Sequence, residues 1–276
     1  HSRQPASTDW TFANPGETGD AVQMAIGLGA ATDLMDEGVW IPMTISPLGP
    51  LYVEYERGKP HSLLVDGEGR RYVDEGSNYM SFGQTIFDHH AKARAIPSWL
   101  ILESRHRNHY FFAGQFPGRT PGEWIQSGFV KRADTLEGLA AACGIDAAAL
   151  TQTVRRFNGF AATGVDADFR RGESLFSRNA GDPSHGPNPG LGAIERPPFY
   201  AIAVFPGDLG TFGGILTDER ARVLRGDGSA IGGLFATGNA TAPVMGRVYP
   251  CTGASIASTM IFGFIAAHEA LGRSPS

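Results

Sequence analysis

Three short apolar runs, at residues 213–218, 221–224 and 234–238, are separated by tight turns and followed by a single apolar helix at residues 257–267. Strands of this length that end on one helix read as the closing part of an α/β domain. A second piece stands near the other end of the chain. Thr18-Gly19-Asp20, followed by Ala21, Val22, Met24, Ala25, Ile26 and Leu28, predicts a helix with Asp20 as its cap and Gly29 as its stop. Between these pieces the texture changes to short strands mixed with helices. The chain therefore divides as 1–38, 39–200 and 201–276, an α+β domain inserted between two pieces of an α/β domain.

Within the insert, residues 62–65, the turn Asp66-Gly67-Glu68-Gly69 and the run Arg71-Tyr72-Val73 predict a β-hairpin. Helices are expected at 83–94, 135–141 and 146–164. The last has Asp146 as its cap, with Leu150, Val154 and Phe157 on one face. Residues 170–198, rich in Gly, Pro, Asn, Asp and Ser, read as an ordered loop or a linker.

Composition sets the outer limits. With 276 residues and 42% hydrophobic side chains, the chain can bury one large core or two ordinary ones. Its 37 Gly and 18 Pro stay below the roughly 25–30% at which disorder becomes the better reading. Lys and Arg total 23 against 28 Asp and Glu, a net charge of −5 without a long basic run, which argues against nucleic acid or an anionic membrane as partner. Cys143 and Cys251 show no CxxC or Cys/His spacing, so no metal site is expected and nothing requires an oxidising compartment. The apolar stretch 256–267 falls short of the roughly 20 residues of a membrane span. The opening His1-Ser2-Arg3-Gln4-Pro5 has neither an apolar signal core nor an initiator Met, which predicts a true start further upstream. A cytoplasmic location follows, with a peripheral position at the membrane left open.

Several motifs have plain readings. Gly27-Leu28-Gly29 imitates a dinucleotide fingerprint but closes a helix where that motif must open one. Gly253-Ala254-Ser255-Ile256-Ala257 imitates a nucleophile elbow without its second glycine. Arg105-His106-Arg107-Asn108-His109 and Asp88-His89-His90 cannot converge on a ligand from adjacent positions and read as solvated polar faces. Phe111, Phe112 and Phe116 read as packing.

Three segments ask for more. Gly232-Gly233-Leu234-Phe235-Ala236-Thr237-Gly238-Asn239-Ala240-Thr241 is a strand running into a small-residue bend, where a flat or charged cofactor can approach the backbone. Met245-Gly246-Arg247-Val248-Tyr249-Pro250-Cys251-Thr252-Gly253-Ala254-Ser255-Ile256 leads into the terminal helix. The first N–H groups of that helix are unpaired, and its dipole favours a partly negative oxygen or ring edge. Tyr249 is aimed by Pro250, so a phenol donor and a backbone N–H can grip one carbonyl oxygen. The third segment, Gly69-Arg70-Arg71-Tyr72-Val73-Asp74-Glu75-Gly76-Ser77-Asn78-Tyr79, leaves the hairpin and turns sharply. The residues alone read it as an ordinary turn with a surface tyrosine.

Together with Asp20, Gly29-Ala30 and Gly213-Gly214-Ile215-Leu216-Thr217-Asp218, these segments resemble the flavoproteins of the fumarate reductase and 3-ketosteroid dehydrogenase superfamily, from about Asn14 onward. Tyr249-Pro250-x-x-Gly253 is similar to the tyrosine and glycine of the 3-ketosteroid Δ1-dehydrogenase branch, and Tyr79 falls where that branch places its catalytic tyrosine. The resemblance implies a substrate domain inserted in the remaining part of a Rossmann-like FAD-binding domain, whose amino-terminal strand and phosphate-binding loop are not in this sequence. It implies FAD as cofactor, along Gly214, Gly238, Asn239, Gly253, Ala254, Ser255 and Ile256. The implied reaction is dehydrogenation of a 3-ketosteroid. In it Tyr79 takes the C2 proton, Tyr249 and the Gly253 N–H polarise the C3 carbonyl, and flavin N5 receives the C1 hydride. An external electron acceptor and a complementing amino-terminal segment are the implied partners. Two other readings stay open: a flavin-dependent reductase of a dicarboxylate or other enone, disfavoured by the apolar Phe82, Phe212 and Met245, and a cofactor-free fragment serving as a substrate cap or interaction module.

Overall fold

The computed structural model describes residues 3–272. The chain forms two compact units. The larger comprises Ser7–Thr11 and Trp40–Gly207, and the smaller comprises the residues up to Ala6, Phe12–Val39 and the chain from Asp208 onward.

In the larger unit a six-stranded sheet runs in the order Gly49–Tyr52, Gly38–Ser46, Phe199–Thr211, Ser98–Leu102, Ser62–Val65, and Lys131–Ala133 also pairs with Phe199–Thr211. All four residues of Ser62–Val65 are buried; the apolar run at residues 63–65 fits a strand covered on both faces, and the Ser62 hydroxyl donates to the Lys59 carbonyl at 2.6 Å. Alternation along the strands then feeds two cores. Leu63, Val65, Ile101 and Ala201 pack with Leu150, Val154 and Phe157, while Leu64, Leu100, Leu102 and Ile202 pack with Phe82 and Ile86.

The helices capped by Asp146 and Thr135 follow the sequence signals closely. The helix Ala147–Thr163 begins at Asp146, whose carboxylate accepts the Ala149 N–H at 2.6 Å, and it stops at Gly164 with φ 76°. The helix Leu136–Cys143 is capped by Thr135. The helix Tyr79–His90 starts four residues before the expected position because Asn78 caps it, accepting the Met80 N–H at 2.9 Å. Residues 170–198 are an ordered segment that includes the short helix Leu175–Ala180, capped by Ser174.

Three expectations fail here. The hairpin does not form: Ser62–Val65 pairs antiparallel with Ser98–Leu102, from Ser62 opposite Leu102 to Val65 opposite Trp99. The Leu64 N–H, which a hairpin partner would receive, goes instead to the Glu75 carboxylate at 3.0 Å, and Arg71 is drawn to the same carboxylate. The presumed solvated faces are partly interior, because adjacent helical residues point in different directions. His106 is buried against the Glu56 carbonyl at 3.0 Å, and Arg107 lies 4.7 Å over the Phe112 ring. His89 pairs with Asp66 at 2.9 Å and stacks on Tyr72 at 4.1 Å, while His90 Nδ1 accepts the Ala95 and Ile96 N–H groups. Of the three phenylalanines only Phe112 is core; Phe111 and Phe116 form an exposed pair with centroids 5.2 Å apart.

In the smaller unit, the helix Asp20–Gly27 precedes the strand Thr32–Asp33, which pairs with Gly214–Ile215. Arg222–Leu224 pairs with Ala230–Phe235, and the chain ends in the helix Ala254–Ala270. Asp20 is not the cap. Gly19 is, with φ 80°, and Asp20 is the first helical residue, accepting a hydrogen bond from Thr18 Oγ1 at 2.9 Å. The core is small, centred on Ala25, Ile215 and Val223. The terminal helix buries none of its residues and exposes Ile256, Met260, Ile261 and Phe264. Among the described residues no helix is long and apolar enough to cross a membrane.

Candidate functional site

The bend after Ala230–Phe235 rests on the terminal helix. Gly238, at φ 74°, accepts the N–H and hydroxyl of Thr241 at 3.0 and 2.8 Å, and Thr237 Oγ1 donates to the Thr259 carbonyl at 3.3 Å. A Cβ on Gly238 would come within 3.3 Å of Thr259 Cγ2. Gly214 closes the other side: a Cβ there would sit 2.4 Å from the Ala240 carbonyl oxygen, so its residue type is fixed by backbone packing. Gly214, Gly238 and Asn239 are thereby brought together.

The terminal helix opens behind Gly253, which has φ 89°, no side-chain cap and nothing within 4 Å of the position a Cβ would take. Tyr249 is buried beside Phe212, with ring centroids 6.3 Å apart. Its hydroxyl lies 3.0 Å from Ser255 Oγ and accepts the Ser255 N–H at 3.4 Å. Tyr249 therefore reaches the first turn that Gly253, Ala254 and Ser255 begin, whereas the Ile256 side chain is exposed. Two residues before Tyr249, Arg247 donates to Asp36 at 2.8 and 2.9 Å and to Glu37 at 2.7 Å. Its hydrogen bond holds the Asp36 carboxyl below the usual range. The Glu37 carbonyl accepts the Phe212 N–H at 3.0 Å, so one loop fixes both Arg247 and the neighbour of Tyr249.

A cavity of about 480 Å³ lies within the smaller unit, lined by Glu17, Gly19, Asp20, Gly210, Asn239 and Ala240 among others. Gly19 and Asp20 were absent from the expected cofactor residues. The available signal was a helix preceded by glycine with no Ser, Thr or Asn in the cap position, which leaves its amide end open.

In the larger unit Tyr79 is half-buried at the start of Tyr79–His90. Buried charges fix the segment that leads to it. The Glu75 carboxylate meets Arg71 at 2.7 and 2.8 Å and Arg171 at 3.1 Å, and Arg71 also reaches Asp166 at 3.0 Å. Burial pushes the Glu75 carboxyl up, but the two arginines outweigh it and hold the group at about 2. Arg57 donates to the Glu75 and Ser77 carbonyls, the latter at 2.7 Å. Arg57 was not among the residues the sequence singled out, and Glu75 was quoted there only as part of the segment leading to Tyr79.

The chain matches the FAD binding domain family over residues 1–256. It is 45% identical over 274 residues to the 3-oxosteroid 1-dehydrogenase of Mycobacterium tuberculosis (strain ATCC 25618 / H37Rv), covering 97% of this chain and 48% of that protein. It is 36% identical over 280 residues to the 4-oxocyclohexanecarboxylate 2-dehydrogenase of Sinomonas cyclohexanicum, with the same two shares. Its structure is similar to the crystal structure of 3-ketosteroid Δ1-dehydrogenase from Sterolibacterium denitrificans in complex with 1,4-androstadiene-3,17-dione, at TM-score 0.94 and 38% identity, over 98% of this chain and 49% of that one. The chain spans about half the length of the curated relatives it matches. The family match covers most of the sequence, and the chain belongs to the FAD binding domain family.

Proposed function

We propose that this chain is the substrate-handling part, with a portion of the cofactor domain, of an FAD-dependent enzyme that introduces a 1,2 double bond into ring A of a 3-ketosteroid. The observation that carries this reading is the Tyr249 hydroxyl held over the first turn of a helix that opens on an uncapped Gly253. The relatives named as 3-oxosteroid dehydrogenases support the substrate class.

The residues fit FAD. Both Asp20–Gly27 and Ala254–Ala270 start behind a glycine of positive φ, without a side-chain cap and with open space where a Cβ would stand. Such amide ends can be approached closely by the partly negative edges of a flat cofactor. Gly214, Gly238, Asn239 and Gly253 to Ile256 would hold it, with Gly19 and Asp20 added beside Asn239. Residues 1–38 and 201–276 are the cofactor-binding pieces in this reading, and 39–200 the substrate domain. When bound, FAD supplies the acceptor for the hydride that leaves C1.

The chain's own groups handle the proton and the carbonyl. Ser255 donates to the Tyr249 oxygen, and Tyr249 O–H with the Gly253 N–H donates to the C3 carbonyl oxygen. Charge withdrawn into that oxygen acidifies the C2–H, whose proton Tyr79 takes. Stabilising the enolate-like charge is the step from which most of the acceleration comes. A complementing amino-terminal segment would cover the exposed Met24, Ile256, Met260 and Phe264, and an external acceptor would reoxidise the flavin. The enzyme would work in the cytoplasm.

The similarity to a dehydrogenase named for an oxocyclohexane carboxylate favours, as a second reading, a smaller cyclic ketone at the same site. Anaerobic bleaching of the flavin band separates the two. A 3-ketosteroid should bleach the FAD-loaded enzyme, and bleaching only with 4-oxocyclohexanecarboxylate would transfer the assignment to the second reading. Bleaching with neither would refute both. The 276-residue chain on its own should retain FAD weakly or not at all, because much of the charge-assisted binding in this fold comes from a phosphate loop near the amino terminus. Stoichiometric FAD after gel filtration would refute that expectation.

A further inference from the structure

We propose that Arg57 is the positioning residue for Tyr79: one buried guanidinium holds the chain on both sides of that tyrosine and so sets where its hydroxyl stands. The inference rests on the assignment of Tyr79 as the base.

Arg57 ends the short helix Glu54–Arg57, and its side chain is 1% exposed. Nε and Nη2 donate to Glu54 Oε2 at 3.1 and 2.6 Å, which balances the charge. Every other described contact of the guanidinium goes to the flanks of Tyr79. Nη1 donates to the Glu75 carbonyl and Nη2 to the Ser77 carbonyl at 2.7 Å, four and two residues before Tyr79. The guanidinium carbon lies 4.3 Å over the ring of Phe82, one turn into the helix that Tyr79 begins. A planar fork with fixed donor directions suits this task, whereas an ammonium could satisfy one carbonyl but not hold both and cover a ring.

The brace is itself anchored. The Arg57 carbonyl accepts from Ser62 Oγ at 3.1 Å and from Arg171 Nη2 at 3.2 Å. The segment it holds is pressed from the other side, since a Cβ on Gly76 would meet Ser177 Oγ at 2.4 Å. The two carbonyls and Phe82 therefore have one shared anchor, and removing it frees the helix start while the cap of Asn78 on Met80 remains.

The test uses the FAD-loaded enzyme with Arg57→Met, Arg57→Lys, Tyr79→Phe and the double variant. Arg57→Met should lower kcat about 100-fold while steroid affinity, read from perturbation of the flavin spectrum, changes by less than about threefold. Arg57→Lys should recover about tenfold of that loss. Amide hydrogen exchange should quicken in the 75–82 segment and not elsewhere. In the Tyr79→Phe background Arg57→Met should cost nothing further, because a residue that acts through Tyr79 has nothing left to position. A further multiplicative loss in the double variant, or unchanged kcat in Arg57→Met beside an inactive Tyr79→Phe, overturns the positioning role and leaves the base assignment standing. Full activity in Tyr79→Phe removes the base assignment itself. If Arg57→Met does not fold, Arg57→Lys and Phe82→Leu, which remove only the second carbonyl contact or the ring, are read in the same cycle with Tyr79→Phe.

Discussion

Arg57 and Arg247 each brace a segment next to a tyrosine proposed for the chemistry, and they do so in opposite surroundings. In the larger unit Arg57 is 1% exposed and faces a carboxylate, two carbonyls and a ring. In the smaller unit Arg247 is 48% exposed and faces two carboxylates, one of them 47% exposed. A buried cation that loses a partner has no water to replace it, so each of its contacts is enforced. A half-exposed ion pair competes with solvent and salt, and its geometry is correspondingly soft. The first arrangement suits a group whose position must not vary. The second leaves the segment before Tyr249 less firmly held.

The sharpest way to break this contrast is at Glu75, which keeps Arg71 and Arg171 compensated in the interior. Glu75→Gln leaves both cations facing a neutral amide, and thermal or urea unfolding should show a loss of about 3–5 kcal/mol. The pH dependence has a definite sign. The folded carboxyl sits at about 2, below its ordinary 4.5, so its stabilisation is complete above about pH 4.5 and disappears as pH falls toward 2. The variant should lack that acid limb in circular dichroism, and a variant as stable as the parent would show that the cluster beneath Tyr79 is not held by charge.

A second carboxylate in the same unit provides the inverse case. Glu56 accepts the Ala113 N–H at 2.6 Å, but its Oε2 is buried without a hydrogen-bond partner. Burial pushes its carboxyl up to about 7. Between about pH 4.5 and 7 the folded state keeps a proton that the unfolded state has released, so stability falls as pH rises through that window. Glu56→Gln keeps an acceptor for Ala113 and should abolish the fall, making the variant more stable than the parent at pH 8 by up to about 3 kcal/mol and no different near pH 4. Equal slopes in the two proteins would mean that Glu56 has a partner which neutralises its charge.

Much of the scaffold was legible in the sequence because local chemistry agreed with the final fold. Asp146, Thr135 and the 150, 154, 157 stripe gave helices whose limits and buried faces match. Reading failed wherever a distant charge captured a backbone group. The turn at residues 66–69 carried every mark of a hairpin, yet the Glu75 side chain took the Leu64 N–H and the strand found its partner thirty-odd residues on. His106 and Arg107 looked like surface residues, and Arg57 was not singled out, because burial of a charge depends on partners supplied from other segments, and spacing within one segment does not encode them. At the candidate site, the approach of Tyr249 to the start of the terminal helix was readable from Pro250 behind it and the small residues that open the helix, but its contact with Ser255 was not foreseen. The open helix start at Gly19 was passed over because the same residues suggested an Asp20 cap.

The smallest effect is expected at the exposed brace, and it is the one that decides whether the two regions differ in kind. Arg247→Met removes the ion pairs to Asp36 and Glu37, but Glu37 keeps Arg3 at 3.0 Å, so no buried charge is orphaned. At low ionic strength the variant should unfold slightly earlier than the parent. In about 1 M salt, where the Debye length shrinks to about 3 Å, parent and variant should become indistinguishable, since screening already removes what the mutation removes. The deficit of Arg57→Lys, measured in parallel, should survive the same salt because its partners are shielded from solvent. A salt-insensitive deficit in Arg247→Met would mean that the loop at 36–37 grips the Tyr249 segment as rigidly as Glu75 and Ser77 are gripped ahead of Tyr79. The softness assigned to the smaller unit's tyrosine would then have to be given up.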